Sequence, residues 1–255
     1  MEPGVIQAVD FHNYLGGNGS DVTSFVDPSR LDVYTDVVQR IIDNVQQSQY
    51  PSMPIWNSET GVTGGNSDSG FETKYVATFQ LVEHLGRSAK MKLGVLTRQT
   101  FYGLWLGLID DNLYPNPAYW FALLFKRLVD REVLDLSITG LDPAQNRLRL
   151  YAHCTSRAYV TANNLPAGAV TVYGMNLYDQ AVLLNFGPMN VQLFLLTSDS
   201  LASNATSLNG VPLTMVDDEH LPPLKPVMVH GPGVNLPSRS VALVVLPTAG
   251  AKACA

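Results

Sequence analysis

The sequence changes its pattern near residue 131, and this change limits the folds open to the chain. Before it, apolar runs of strand length alternate with stretches whose apolar residues recur at helical spacing. After it, short apolar runs follow one another, separated by Gly, Pro, Asn and Asp. The first pattern is typical of a parallel sheet with helices packed outside it, and the second of an antiparallel sandwich. We therefore expect an α/β part followed by an all-β part.

Three strand–helix units are predicted in the first part. Asp27 can cap the first helix, and Pro28 suits its first turn. The predicted strands are residues 5–11, 53–56 and 93–97, and the predicted helices are 28–47, 71–85 and one that begins at Pro117. The second part is expected to form strands at 148–153, 170–177, 181–186, 191–197 and 241–246, with a long surface connection at 221–237.

Composition and charge argue against several classes of protein. Hydrophobic residues make up 46% of the chain and charged residues 15%, which is enough apolar material for a core. The net charge of −6 does not favour non-specific binding to nucleic acid. No apolar run reaches the ~18 residues of a membrane helix, and the start lacks the pattern of a secretory signal peptide. We expect neither a nucleic-acid partner nor a transmembrane segment.

Metal and cofactor motifs are absent from the sequence. Cys154 and Cys254 stand alone, without a Cys-x-x-Cys pair, and no His-Glu-x-x-His pattern occurs. The glycines at 61, 64 and 65 are not followed by the Lys-Ser/Thr of a phosphate-binding loop. We expect no metal and no cofactor. The two cysteines are either buried thiols or one disulfide.

Polar residues follow each predicted strand of the first part, where ligand sites of α/β proteins collect. Glu59 follows the second strand and is either a nucleophile or acid/base, or a residue that caps a helix or pairs with Arg98. His12 is either a general base or a structural histidine. Tyr14 either orients a carboxylate or packs. The apolar stretch 104–106 is either a sugar-stacking platform or core.

Several segments resemble the heparanase family. The most informative is Ile-Trp-Asn-Ser-Glu-Thr at 55–60, which precedes Gly64 and Gly65. Thr-Arg-Gln-Thr-Phe-Tyr-Gly at 97–103 is similar to the segment after the last barrel strand of that family. Further similar segments lie at 115–129, 151–155 and 208–224, so that the resemblance extends along essentially the whole chain.

The resemblance implies a fold and a function. Members of the family are retaining endo-β-glucuronidases, with a (β/α)8 TIM barrel followed by an antiparallel β-sandwich. Residues 1–131 would be the last three βα units of such a barrel, and residues 132–255 the sandwich. The parent protein would hydrolyse β-glucuronidic bonds of heparan-sulfate-like glycans. It would be secreted and act in the extracellular matrix or the lysosome.

The resemblance also assigns roles to particular residues. Glu59 would be the nucleophile, with Tyr14 orienting it. His12, Gly64, Gly65 and Gln99 would bind substrate, and Cys154 and Cys254 would form a disulfide. Two acceptor sequons, at Asn18 and Asn204, are candidates for glycosylation in a secreted parent.

The departures from the family pattern are as informative as the matches. The acid/base Glu of the family stands in an Asn-Glu-Pro motif, which does not occur here. By the resemblance, the chain would start at the sixth barrel strand. Segments 16–20 and 104–107 replace family residues that touch substrate, which puts a preference for sulfated substrate in question. We expect this chain alone to be inactive, as a fragment, a truncated isoform or an incomplete gene model, and an N-terminal chain to complete the barrel. The alternative is a catalytically inactive, secreted module that binds glycan or matrix partners.

Overall fold

The computed structural model describes residues 6–16, 21–63, 70–103 and 105–255. Its first part has three parallel strands in the order β1-β2-β3, each followed by a helix, as the sequence predicts. The strands are β1 (Val9–Tyr14), β2 (Ile55–Gly61) and β3 (Val95–Arg98), and the helices are α1 (Pro28–Gln46), α2 (Val76–Lys90) and α3 (Pro117–Leu128).

Strands β1 and β2 extend further towards their carboxyl ends than the sequence predicts. The prediction ended them at residues 11 and 56, whereas they end at Tyr14 and Gly61. The apolar run marks only the first residues of each strand, because the polar residues that follow still pair in the parallel ladder, with His12 opposite Glu59. His12, Tyr14 and Glu59 therefore lie within strands and not in the loops after them.

Helix α1 begins where the sequence predicts it. The Asp27 carboxylate accepts a hydrogen bond from the backbone N–H of Ser29 (2.8 Å), and Pro28 occupies the first turn. Its inward face buries Leu31 and Tyr34. A side-chain cap is a local signal, which explains why the sequence alone could locate this start.

Helix α2 begins five residues later than predicted, at Val76, and ends at Lys90. No side chain caps it. Instead, the first free amides, those of Tyr75 and Val76, donate to the carbonyl oxygens of Ser203 and Leu201 at 2.8 and 2.9 Å. A loop from the second part of the chain therefore fixes the start of this helix, and the local sequence pattern carries no signal for it.

The second part is antiparallel. An eight-stranded sheet contains the path β10-β9-β8-β13-β6-β5-β4, with β11 also paired to β8, while β7 and β12 form a two-stranded sheet. The strands are β4 (Val129–Leu134), β5 (Leu148–Thr155), β6 (Val170–Asn176), β7 (Val182–Asn185), β8 (Val191–Thr197), β9 (Ser207–Leu208), β10 (Val211–Pro212), β11 (Val227–Val229), β12 (Gly233–Leu236) and β13 (Ser240–Leu246). A short helix α4 (Arg157–Ala162) joins β5 to β6. None of the helices in the described ranges is both long and apolar enough to cross a membrane.

The segment 221–237 is more than the surface connection that its Pro and Gly content predicts. It contains β11 and β12, and the side chains of Val234 and Leu236 on β12 are 1% and 0% exposed. Strand β12 is paired along its length with β7. A four-residue strand with only two buried positions gives too short an alternating pattern to be recognised in a sequence segment rich in Pro and Gly.

The two parts share one core. Val129 both ends α3 and begins β4, so the predicted boundary at residues 131 and 132 falls inside a strand. On one face of the eight-stranded sheet, Tyr173 and Leu243 pack in a cluster with Phe121 of α3 and side chains of α2. The opposite face packs against β7 and β12. Helix α2 therefore contacts both sheets, whereas α3 packs on α2 and on the antiparallel strands β4 and β13.

A buried charged cluster also joins the two parts. The Glu83 carboxylate of α2 is 0% exposed and pairs with the Arg149 guanidinium of β5. It also accepts hydrogen bonds from Arg87 Nε (2.9 Å) and the Tyr151 hydroxyl (2.8 Å). Arg149 lies 3.0 Å from Asp32 of α1. Burial, and next the Glu83 charge, raise the pKa of Tyr151, which keeps this phenol a donor.

The structure contains the Cys154–Cys254 disulfide that the resemblance implies, with Cα atoms 5.3 Å apart. It joins β5 to the C-terminus across 100 residues of sequence. In the chain-entropy model, closing a loop of this size stabilises the folded state by up to ~4.7 kcal/mol.

Reduction of this disulfide is expected to lower the free energy of unfolding by about 2–4 kcal/mol, since the unfolded chain regains the freedom that the closed loop removes. Urea unfolding of the Cys154→Ser/Cys254→Ser variant beside the oxidised protein measures the loss. Thiol labelling of the denatured protein should find two reactive thiols after reduction and none before it. Equal midpoints for the two proteins would contradict the expectation.

Candidate active site

The carboxyl ends of the three parallel strands form the candidate site. β1 and β2 are neighbours, and their register places His12 beside Glu59 and Tyr14 beside Gly61. The register shifts between Phe11 and His12, which marks an irregularity in the ladder at this point. Three of the residues singled out from sequence, His12, Tyr14 and Glu59, are therefore brought together.

Tyr14 and Glu59 form a direct hydrogen bond. The Tyr14 hydroxyl donates to Glu59 Oε1. Burial, and next the hydrogen bond to Glu59, raise the pKa of Tyr14. The phenol therefore stays protonated at neutral pH and remains a donor to the carboxylate.

The second carboxylate oxygen of Glu59 faces His12. His12 Nδ1 lies 3.6 Å from Glu59 Oε2, and its Nε2 lies 3.9 Å from Asp10 Oδ2. The Glu59 side chain is 31% exposed and that of His12 is 55% exposed, so solvent or a ligand can reach this oxygen. The alternative partner considered from sequence, Arg98, contacts the backbone next to Glu59 instead.

Arg98 and Gln99, at the end of β3, both bind the carbonyl oxygen of Thr60. The backbone N–H of Gln99 donates to it at 2.9 Å and Arg98 Nη1 at 3.3 Å. Burial lowers the pKa of Arg98 to about 10, so the guanidinium is still a cation at neutral pH. A Cβ on Gly61 would stand 2.9 Å from Arg98 Nη1 and 3.0 Å from the Tyr14 ring. Only glycine lets these two side chains approach the strand here.

The sequence predictions did not include a buried polar network behind Glu59. Thr60 Oγ1 lies 2.6 Å from His84 Nδ1 and 3.1 Å from Gln80 Nε2, and the His84 ring stacks on Tyr34 with centroids 3.8 Å apart. Burial, and next the nearby Arg98 charge, lower the pKa of His84 to about 3. The ring is therefore neutral at physiological pH.

Asn57 fixes the other side of Glu59. It is 0% exposed, and in the amide orientation that satisfies its neighbours its nitrogen donates to the carbonyl oxygens of Phe11 (3.3 Å) and Glu59 (2.9 Å). Its oxygen then accepts from the Tyr34 hydroxyl (3.1 Å). The register of β2 with β3 shifts between Asn57 and Thr60. Buried side chains from α1 and α2 thus hold both ends of the irregular segment that carries Glu59.

His84 makes stability depend on pH, and the direction follows from its lowered pKa. The unfolded chain binds a proton at His84 below about pH 6.5, whereas the folded chain does not until about pH 3. Stability is therefore lost as the pH falls below 6.5. From pH 7 to pH 5 we expect the free energy of unfolding to fall by about 2 kcal/mol through this group.

The measurement is urea unfolding at pH 7 and pH 5 for the parent, for His84→Gln and for His220→Gln. His84→Gln should remove the part of the pH-dependent loss that comes from this ring, about 2 kcal/mol, because glutamine does not titrate. His220, whose side chain is 69% exposed, serves as the matched control. A His84→Gln protein that loses as much stability as the parent would show that the ring is not held neutral.

Five residues singled out from sequence lie outside the described ranges or have roles that the contacts do not test. Gly64, Gly65 and Asn18 fall outside the described residues. Gln99 lies at the same sheet edge as Glu59 through its backbone bond to Thr60. Asn204 is exposed, and its Oδ1 accepts a hydrogen bond from Lys74 Nζ at 2.5 Å.

Sequence comparison places the chain among known proteins. Heparanase of Mus musculus is 33% identical over 261 residues, which cover 98% of this chain and 48% of the relative. Heparanase of Bos taurus is 31% identical over 260 residues. The chain belongs to the heparanase family. Inactive heparanase-2 of Homo sapiens is also similar, at 30% identity over 95% of this chain. No family model matches.

This heparanase-family chain spans about half the length of the curated relatives it matches. The chain also matches only about half the length of similar solved structures. A rhamnosyl-glucuronidase of Fusarium oxysporum has a TM-score of 0.64 at 13% identity, covering 94% of this chain and 53% of that one. A GH51 arabinofuranosidase of Xanthomonas axonopodis has a TM-score of 0.62 at 13% identity. At this identity the likeness shows a fold in common with TIM-barrel glycosidases and no more.

Proposed function

We propose that this chain is the C-terminal part of a retaining glycoside hydrolase that cleaves β-glucuronidic bonds in heparan-sulfate-like or related glycans. The observation that carries the proposal is the Tyr14–Glu59 hydrogen bond at the carboxyl ends of adjacent parallel strands. Barrel glycosidases place their carboxylates at this end of the sheet. Among the relatives, several are named heparanase and one hyaluronoglucuronidase.

The same proposal covers the domain organisation. Residues 1–131 would be the last three βα units of a (β/α)8 barrel, and residues 132–255 a β-sandwich. Among the described residues, β1 and β3 are the edge strands of the three-stranded sheet. This supports the proposal, because an unpaired strand edge is a surface on which further strands can pair, and a closed barrel leaves no such edge. An N-terminal segment of the longer protein, or a separate chain, would pair with these edges.

Glu59 would act as the nucleophile in the first half of the reaction. One carboxylate oxygen, Oε1, is held by the Tyr14 hydroxyl, which leaves Oε2 on the exposed side to attack the anomeric carbon. The bond from this oxygen to the sugar forms as the glycosidic bond breaks. Water then hydrolyses the glycosyl-enzyme and restores the carboxylate. Tyr14 would keep the carboxylate in one orientation through both steps.

The acid/base residue would come from outside this chain. Retaining hydrolysis needs a second carboxyl group ~5–5.5 Å from the nucleophile to protonate the leaving oxygen. The sequence has no Asn-Glu-Pro motif to supply it. We therefore propose that the 255-residue chain alone does not hydrolyse a natural glucuronide, and that the intact parent does.

Covalent trapping tests the proposal. A 2-deoxy-2-fluoro glucuronide with an activated leaving group needs no acid to depart, so it should label the nucleophile of the intact parent. Mass spectrometry of a digest should find the sugar on the peptide that contains Glu59, and Glu59→Gln should remove the label. Labelling of a different carboxylate would refute the assignment of the nucleophile.

A second candidate function is a catalytically inactive, secreted module that binds glycan or matrix components. The similarity to inactive heparanase-2 and the missing acid/base motif favour it. The trapping experiment separates the two, because an inactive module would bind the glycan without forming a covalent adduct.

Secretion of the parent, to the extracellular matrix or to lysosomes, belongs to the same proposal and predicts glycosylation. Asn204 is exposed in the loop between β8 and β9, where a glycan has room. Treatment of the secreted parent with an N-glycosidase should increase its electrophoretic mobility, and Asn204→Gln should reproduce part of that shift. An unchanged mobility after treatment would exclude glycosylation at both sequons.

A further inference from the structure

An exposed group of aromatic side chains follows β3 at the site end of the sheet. Phe101, Tyr102 and Tyr114 are 62%, 53% and 56% exposed. We call these three residues the aromatic rim. From sequence, residues 104–106 are either a sugar-stacking platform or core; residue 104 lies outside the described residues, and Leu106, 4% exposed, belongs to the core. Grouped exposed aromatics on a folded protein commonly mark a binding surface.

The loop that presents the rim is held by many hydrogen bonds. The amides of Leu108 and Ile109 donate to the carbonyl oxygens of Thr100 and Phe101, each at 2.9 Å. The Asp110 carboxylate accepts from the amides of Asn112 and Tyr114, each at 2.9 Å. The rings are therefore presented from a backbone that is already fixed before a ligand binds, which lowers the entropy cost of binding.

The rim borders the candidate site. The Gln99 amide binds the carbonyl oxygen of Thr60, the residue after Glu59. Phe101 is two residues further along, so its backbone lies within ~7 Å of that of Gln99. The rim therefore follows directly on the end of β3, where Arg98 pairs with Thr60 beside Glu59.

The charges around the rim are unsuited to a sulfated ligand. In the described segments 6–16, 55–63, 98–103 and 105–116, Arg98 is the one Lys or Arg residue. Its Nε and Nη2 atoms are buried, and its Nη1 binds the backbone. In the same described segments, the exposed carboxylates are those of Asp10 and Asp111, and His12 is an exposed imidazole. A sulfate group placed here would meet carboxylates and, among these described residues, no exposed Lys or Arg to balance its charge.

We infer that the aromatic rim is a subsite for the apolar face of an unsulfated sugar residue next to the glucuronide that is cleaved. The inference rests on the proposed function and narrows its substrate class to glycans of low sulfate density. Aromatic rings bind the C–H face of a pyranose by apolar contact and do not require charge. The aromatic rim would therefore distinguish between sugars by the shape of their apolar face and by the cost of removing water from them, and not by their charge.

Calorimetry with the intact parent carrying Glu59→Gln tests the inference. The two ligands are oligosaccharides of equal length with the same uronic acid–glucosamine backbone, one unsulfated and one fully sulfated. At 150 mM salt we expect the unsulfated ligand to bind about tenfold more tightly. Its affinity should change less than about twofold between 50 and 300 mM salt, because few ions are released.

Rim variants in the same background complete the test. Phe101→Ala and Tyr102→Ala should each weaken binding of the unsulfated ligand about tenfold. Leu183→Ala, which removes an apolar side chain that is 69% exposed on β7, is the matched control and should bind as the parent does. Thermal melting of each variant checks that the fold is kept.

Three results would overturn the rim as a subsite while leaving the proposed function intact. They are tighter binding of the sulfated ligand, unchanged affinity in both rim variants, or a loss of stability in Phe101→Ala as large as that of a core truncation. The last would mean that the rest of the parent protein covers the rim. Failure of the parent to bind either oligosaccharide would instead overturn the proposed function.

Discussion

Replacement of Glu59 by Gln in the intact parent is expected to lower turnover of a glucuronide by at least ~10³-fold. The amide has the same shape and can still accept the hydrogen bond from Tyr14. It lacks the negative charge and the nucleophilicity that attack on the anomeric carbon needs. Glutamine nearly keeps the size and the hydrogen bonding of Glu59. A loss of turnover in this variant would therefore be due to the missing nucleophilic carboxylate and not to a disturbed fold.

Chemical rescue makes this prediction specific for a nucleophile. In Glu59→Gly, a small external anion such as azide can enter the vacated space and attack the sugar directly. We expect azide to restore part of the turnover and to give a glycosyl azide of inverted configuration, since one displacement replaces two. A product of retained configuration, or no azide dependence with an activated substrate, would contradict the role of Glu59.

Tyr14→Phe separates orientation from nucleophilic attack. A hydrogen bond to a charged group contributes about 1.5–3 kcal/mol, which corresponds to a loss of turnover of about 10–100-fold. Azide should not rescue this variant, because the nucleophile is still present. An effect as large as that of Glu59→Gln would mean that Tyr14 does more than hold the carboxylate.

The sequence could predict which residues meet in the site, but not how they are held. Polar residues after apolar runs in successive βα units must gather at one sheet edge, and this placed His12, Tyr14 and Glu59 together. The position of Glu59 within the strand depends on register shifts in β1 and β2. These shifts come from pairing with neighbouring strands, which no local pattern encodes.

The buried polar network behind Glu59 could not be predicted from the sequence, for a different reason. In the sequence, His84 is a lone histidine on an amphipathic helix, Tyr34 is one of the apolar positions of another, and Thr60 only ends the segment 55–60. Their contact requires α1 and α2 to pack against β2, over separations of 24 and 50 residues between His84 and its two partners. Only the packed structure reveals that a buried, neutral ring supports the segment that carries Glu59, the proposed nucleophile.

The packing between the two parts of the chain was not predicted from sequence, for a similar reason. The change of pattern near residue 131 is real, since parallel pairing precedes it and antiparallel pairing follows. Periodicity assigned α2 to the first part, yet it also packs on β5 and β6 of the second. Gly86 permits this, because a Cβ there would overlap the Tyr151 ring at 2.2 Å. The two parts should therefore unfold together.

Removal of the Glu83 carboxylate tests this junction and should have the largest effect on stability. In Glu83→Ala, the Arg149 guanidinium, 1% exposed, loses its buried partner and keeps only the partly exposed carboxylate of Asp32. Removing one partner of a buried ion pair costs about 3–5 kcal/mol, a large share of a typical domain stability of ~5–15 kcal/mol. Urea unfolding should show one transition at a lower midpoint, since loss of the cluster weakens both parts at once.

Two further variants keep this prediction testable if Glu83→Ala does not fold. Glu83→Met combined with Arg149→Met removes both charges and should be more stable than Glu83→Ala, because no charge is left unpaired. Asp179→Ala breaks the exposed pair with Arg239 (2.7 Å, Asp179 85% exposed) and should cost less than about 1 kcal/mol. A Glu83→Ala protein that loses no more than this control would show that the buried cluster does not stabilise the junction. Two separate unfolding transitions would show that the buried cluster does not couple the unfolding of the two parts of the chain.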